Sequence, residues 1–115
     1  MSKYTIYHNP RCSKSRQALA LLEEKGVEID VVEYLKEKPT TKVFEGLIKS
    51  SDDEPERFLR KKEKEFSEFK GQDFSTAKKV AAILSKFPKL LERPVVSSKG
   101  RAVIARPPER VLELI

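Results

Sequence analysis

Cys12 is the only cysteine in the chain, and the residues beside it are of the types that make a sulfur reactive. Arg11, Lys14 and Arg16 put positive charge around it, and no acidic residue occurs before Glu23. The nucleophile in cysteine chemistry is the thiolate, and cationic neighbours and a helix N-terminus both favour it. Cys12 falls between two readable elements. Tyr4-Thr5-Ile6-Tyr7-His8 is rich in β-branched and aromatic residues, as strands are. Asn9-Pro10 breaks it, and from Ser13 the apolar positions Ala18, Leu19 and Leu22 share one helical face. The sulfur therefore lies at a strand-to-helix turn, where the unpaired first-turn N–H groups support an anion. Ser15, one helical turn on, carries a hydroxyl able to donate toward it. A lone cysteine is by default a buried structural residue; here position, local charge and Ser15 together reverse that default. The expected chemistry is attack on a small tetrahedral oxyanion.

Such an anion needs oriented donors, and arginine supplies two parallel N–H bonds from a planar fork. Arg60, Arg93 and Arg106 stand apart in the sequence. The last two each precede a proline, which pushes their backbones toward extended geometry. Any one of them taken alone is a surface arginine, and composition does not single out these three. The charge distribution is more telling than the net +6. Residues 1–22 carry four bases and no acid, and residues 86–106 carry six bases against Glu92 alone. The stretch between is nearly balanced, with 13 bases and 15 acids. Two distant basic segments suggest one focused anion site where they meet. Nucleic-acid binding is the competing reading, but no helix-turn-helix is visible and no stacking aromatics alternate with the bases.

The elements that must position these residues are legible along the chain. Glu28–Leu35 reads as a second strand, so the first 35 residues form strand–helix–strand, with a crossover long enough for a parallel pair. Gly26 stands where a helix C′ residue belongs. The middle reads as three helices: from Thr40 or Thr41 to about Lys49, from Pro55 through Arg60, and from Ser75 to before Pro88. Val95-Val96 and Ala102-Val103-Ile104 form a hairpin. Pro107-Pro108 opens a final helix with Val111, Leu112 and Ile115 facing inward. A 115-residue chain with 38% hydrophobic residues fits one α/β domain, 1–115, with a modest core. No apolar run is long enough to span a membrane, and MSKYTIYHNP lacks the apolar stretch of a signal peptide. With one cysteine and no disulfide framework, a cytoplasmic location is expected.

The motifs together resemble the glutaredoxin-coupled arsenate reductase family. His8-Asn9-Pro10-Arg11-Cys12-Ser13-Lys14-Ser15-Arg16 is similar to that family's active-site loop. Phe58-Leu59-Arg60-Lys61 resembles its helical arginine, Glu92-Arg93-Pro94-Val95-Val96 its Arg-Pro segment, and Ala105-Arg106-Pro107-Pro108-Glu109 its third arginine. The likeness runs through the whole chain in order. It implies a thioredoxin-like fold: a mixed four-stranded sheet flanked by helices, with a helical insertion between strands 2 and 3.

By the same resemblance, Cys12 displaces an arsenate oxygen to give a thiol–arsenate adduct. Arg60, Arg93 and Arg106 hold the remaining oxygens, and His8 and Ser15 favour the thiolate. His8 is equally open to a plainer reading, a satisfied histidine at a strand end. Pro94 matches the position of a cis proline beside the cysteine. No bound cofactor or metal is expected; the implied partners are arsenate or a related oxyanion, external glutathione as reductant, and glutaredoxin. A related branch contains redox regulators that bind RNA polymerase and carry Cys-x-x-Cys. Ser15 in the fourth position here argues against such a dithiol switch.

Overall fold

The computed structural model describes residues 3–115. Its element order is β1 (Lys3–Tyr7), α1 (Ser13–Glu24), β2 (Glu28–Val32), α2 (Tyr34–Glu37), α3 (Thr41–Lys49), α4 (Ala77–Lys86), β3 (Val95–Ser98) and β4 (Arg101–Ile104). Four short 3₁₀ segments complete it: Pro55–Phe58, Lys64–Phe69, Pro88–Leu90 and Pro108–Leu114. The strands form one mixed sheet in the order β2-β1-β3-β4, with β1 parallel to β2 and antiparallel to β3. The helices α3 and α4 are inserted between β2 and β3, which is the thioredoxin-like arrangement the motifs implied.

Alternation along the strands divides the core in two. Tyr4 and Ile6 on β1, Val96 on β3 and Val103 on β4 join Ala18 and Leu22 of α1 and Val111 of the C-terminal segment. Tyr7, Val95, Ala102 and Ile104 belong to the second cluster, with Phe44 of α3 and Val80, Ala81 and Leu84 of α4. A period of two on each strand thus feeds two helical layers. β1 is central, so the residue that follows it emerges at the middle of the sheet end. Thr40 caps α3 by accepting from the Val43 N–H, and Thr76 caps α4 by accepting from Lys79. Gly26 follows α1 with φ +69°, a conformation open to glycine at little cost.

Several elements differ from the sequence reading. The second strand ends at Val32 rather than Leu35, because Tyr34 turns inward to open α2 and becomes fully buried. The fourth helix begins at Ala77, with Thr76 rather than Ser75 at its cap. The helix expected to run through Arg60 is a single 3₁₀ turn ending at Phe58. Beyond it the chain extends: Leu59 bridges Leu91 in antiparallel fashion, Arg60 N–H donates to the Leu90 carbonyl at 2.7 Å, and Glu92 N–H to that of Phe58 at 2.8 Å. Arg60 is therefore carried on an extended segment zipped to residues 90–92, next to Arg93. In the last segment Val111 is buried, but Leu112 and Ile115 are exposed. A 3₁₀ helix repeats every three residues, so Pro108, Val111 and Leu114 line its inner face and Leu112 turns out.

Candidate active site

The loop after β1 is held tightly by its own backbone. His8 N–H donates to the Val32 carbonyl at 2.8 Å, and Cys12 N–H to that of Asn9 at 3.0 Å. Asn9 Oδ1 accepts from the Arg11 N–H at 3.0 Å, a local turn typical of asparagine. The Arg16 guanidinium donates to the Pro10 carbonyl at 2.8 Å, so one of the local cations braces the loop itself. Cys12 is the N-cap residue of α1, partly exposed, in extended geometry and making no side-chain capping bond. The N-cap is the residue whose side chain is attached nearest the first-turn amides. That turn contains no acidic residue, so nothing opposes negative charge there.

Ser15 and His8 are both buried and joined, His8 Nδ1 to Ser15 Oγ at 2.6 Å. The same hydroxyl accepts from the Asn9 N–H at 3.0 Å. Among the described residues, these contacts take the place of the direct bond from Ser15 to the sulfur that the sequence suggested. Burial lowers the His8 pKa, with Glu33 opposing and Arg16 adding to the shift. The ring is thus a neutral imidazole at neutral pH. When Nδ1 carries the proton and donates, the Ser15 hydroxyl proton is released toward the loop. Ser15→Ala would strand both the imidazole nitrogen and the Asn9 N–H. We expect a cost of about 1–3 kcal/mol, read as a lower urea midpoint at unchanged slope.

The loop opens on a cleft of about 390 Å³ that is also lined by Tyr34, Arg60 and Arg93. The two basic segments meet here, since Arg11 from the first and Lys89 and Arg93 from the second share the lining with Arg60 and Lys36. Only Glu33 and Glu63 oppose these five cations. Arg93 is half-buried, and its Nε is buried with no hydrogen-bond partner among the described residues. Arg106 is not on this lining. It borders the adjoining cleft with Arg60 and Glu92, so Arg60 belongs to both and links the three arginines. Both Arg93–Pro94 and Arg106–Pro107 are cis; the first was expected for Pro94.

Tyr34 is a site residue that its type and spacing did not reveal. It lies on the cleft wall, fully buried. Burial pushes its hydroxyl far above the usual tyrosine value, with Arg60 lowering it and Cys12 raising it further. It is therefore a neutral donor within the field of both Cys12 and Arg60. The only advance signal was a tyrosine closing a β-branched run. Among the described residues no cluster of histidine, cysteine and carboxylates could hold a metal ion, and no helix is long and apolar enough to cross a membrane.

A family model, that of the ArsC family, matches residues 7–114. The chain belongs to the ArsC family. Among relatives of this ArsC chain, it is 38% identical to an arsenate reductase of Haemophilus influenzae over 113 residues, covering 96% of this chain and 97% of that protein. It is 43% identical to the Escherichia coli protein YfgD, over 96% and 94% of the two chains. The solved structure of an arsenate reductase from Vibrio cholerae superposes with a TM-score of 0.89, at 38% identity and 98% coverage of both chains. The thioredoxin-like sheet and its helical insertion are thus those of the ArsC fold.

Proposed function

We propose that this protein reduces arsenate to arsenite through Cys12, drawing its electrons from glutathione and being reset by glutaredoxin. The observation that carries the reading is Arg93, whose buried Nε has no partner among the described residues, on the same cleft as Arg60 and the His8–Arg11 stretch that leads into Cys12. A buried, unmatched guanidinium nitrogen is an anion-binding group whose counterpart comes from outside. Family membership and the arsenate reductases among the relatives support the choice of anion.

The Cys12 thiolate attacks arsenic and displaces one oxygen, which leaves as water after taking up protons. The product is a thiol–arsenate ester at the N-terminus of α1. Arg60, Arg93 and Arg106 hold the other oxygens and stabilise the charge that builds up as the new bond forms. Glutathione then attacks the adduct. One disulfide forms between Cys12 and glutathione, two electrons pass to arsenic, and arsenite leaves. A glutaredoxin thiol attacks the glutathione sulfur of that mixed disulfide and frees Cys12.

The test is NADPH oxidation on adding arsenate, with glutathione, glutaredoxin and glutathione reductase supplied. Oxidation dependent on this protein, with matching arsenite, is the expected result, and Cys12→Ser should abolish it. Turnover sustained equally well by thioredoxin and its reductase, without glutathione, would keep the reaction and overturn the coupling. No arsenate-dependent oxidation with either system would overturn the reading.

A further inference from the structure

The three arginines are not equally free. Glu92, the residue before Arg93, sets Oε1 3.4 Å from Arg106 Nε and 3.8 Å from Arg60 Nε. A carboxylate of the chain itself thus lies between two of the guanidiniums that would hold the oxyanion. The backbone puts it there: Glu92 N–H donates to the Phe58 carbonyl, in the same zipped segment that carries Arg60.

Neither arginine depends on Glu92 for its orientation. Arg60 Nη1 donates to Glu63 Oε1 at 2.6 Å, and Arg106 Nη1 donates to the Arg93 carbonyl at 3.1 Å. Each guanidinium has five N–H donors, and the Nε edge of each turns toward Glu92. Removing the Glu92 charge would leave both second anchors in place. A contact that is redundant for orientation but placed on the anion-binding edges does something other than hold the fold.

We infer that Glu92 is an internal competitor: its carboxylate occupies Arg60 and Arg106 in the resting protein and must be displaced or protonated when an oxyanion binds. The inference rests on the proposed oxyanion chemistry of the site and adds to it a residue that sets affinity. It makes the site selective, because only an anion that offers more to the arginines than one carboxylate can take its place. A trigonal monoanion gains little by the exchange; a tetrahedral dianion gains most.

A dependence on pH follows. Glu92 is faced by Arg60, Arg57 and Lys62 from the 57–62 segment and by Arg106 from the stretch after β4, and Arg93 follows it in the chain. Burial raises its pKa, and Arg106, Arg60, Lys62 and Arg57 oppose that rise without cancelling it. A dianion arriving beside it raises the pKa further, since like charges disfavour ionisation. Binding therefore takes up a proton at Glu92, and affinity falls as the solution pH climbs through its titration. The signature is the difference between the wild type and a variant lacking the carboxylate.

Sulfate is the probe, because it stays a dianion throughout and cannot be reduced by thiols. Calorimetric titration at several pH values, on wild type and Glu92→Gln, measures affinity directly. We expect Glu92→Gln to bind sulfate about tenfold tighter at neutral pH, with a shallower loss of affinity toward alkaline pH. The arsenate KM should fall in parallel while kcat changes far less. Equal or weaker sulfate binding in Glu92→Gln, or an unaltered pH slope, would overturn the inference, for a residue that merely orients the arginines would weaken binding when removed. Glu92→Ala gives the same comparison should the glutamine variant have a lowered thermal midpoint. The two readings fail separately: a wild type without arsenate turnover sinks the reduction, whereas normal turnover with no tightening sinks only the competitor.

Discussion

Pre-reduced protein mixed with arsenate, with no other thiol present, is expected to release essentially no arsenite. Taking arsenate to arsenite requires two electrons, and closing one disulfide supplies two. The sequence holds a single sulfur nucleophile, Cys12, so the second thiol must come from another molecule. Cys12 can form the ester alone and stop there. Adding glutathione to the stalled mixture should then release arsenite and leave Cys12 bonded to glutathione, a mass increase that intact-protein mass spectrometry resolves. Stoichiometric arsenite from the unsupplemented monomer would refute the mechanism. A Cys12-linked dimer appearing with the arsenite would instead identify a second copy of the chain as the thiol donor.

Arg93→Lys is expected to lower kcat/KM for arsenate by roughly 100- to 1,000-fold, equivalent to about 2.7–4 kcal/mol of lost transition-state stabilisation. The substitution preserves the positive charge, so Coulomb attraction alone predicts a small change. Lysine, however, is a point charge on a flexible stem without the planar fork. The half-buried Arg93 also has a buried Nε with no hydrogen-bond partner among the described residues, so it has a donor to give to an incoming oxygen. Arg101→Lys is the control: Arg101 is exposed on β4 and donates to the Glu113 carbonyl at 3.1 Å, on a different surface from the cleft. A small, equal effect at the two positions would mean that Arg93 does not hold the anion. Thermal midpoints of both variants separate lost catalysis from lost fold.

The strands and long helices were readable because their periods are clean. The β1 and hairpin residues alternate between two cores, and α1, α3 and α4 carry apolar faces with their caps in sequence. What escaped was the 3₁₀ structure, which obeys a threefold repeat. Phe66 and Phe69, three apart, pack as partners of the second core within Lys64–Phe69, a segment that shows neither the period of 2 of a strand nor the 3.6 of an α-helix. Leu112 and Ile115 face outward for the same reason, since the inward face an α-helical period predicts for them is not that of a 3₁₀ turn. At the site, Cys12, His8 and Ser15 were local in sequence and so visible together. The placement of Arg60 was not, because it comes from a pairing between residues 58–60 and 90–92 that no local pattern announces. Tyr34 was hidden by the apolar run before it, and the bond between His8 and Ser15 depends on how deeply both are buried.

The sheet order has a bearing on how the molecule comes into being. β1 pairs with β2 nearby in sequence, but its other neighbour is β3, where Ile6 faces Val96. Contacts of such wide sequence separation carry a loop-closure cost and slow the folding of the parts that depend on them. The early βαβ unit contains Cys12 and every residue of its loop, whereas Arg60, Arg93 and Arg106 arrive with the later pairing. During biosynthesis the chain therefore displays its thiol before it possesses the clamp. Over that interval the sulfur is open to any passing oxidant and selective for none, until the hairpin docks.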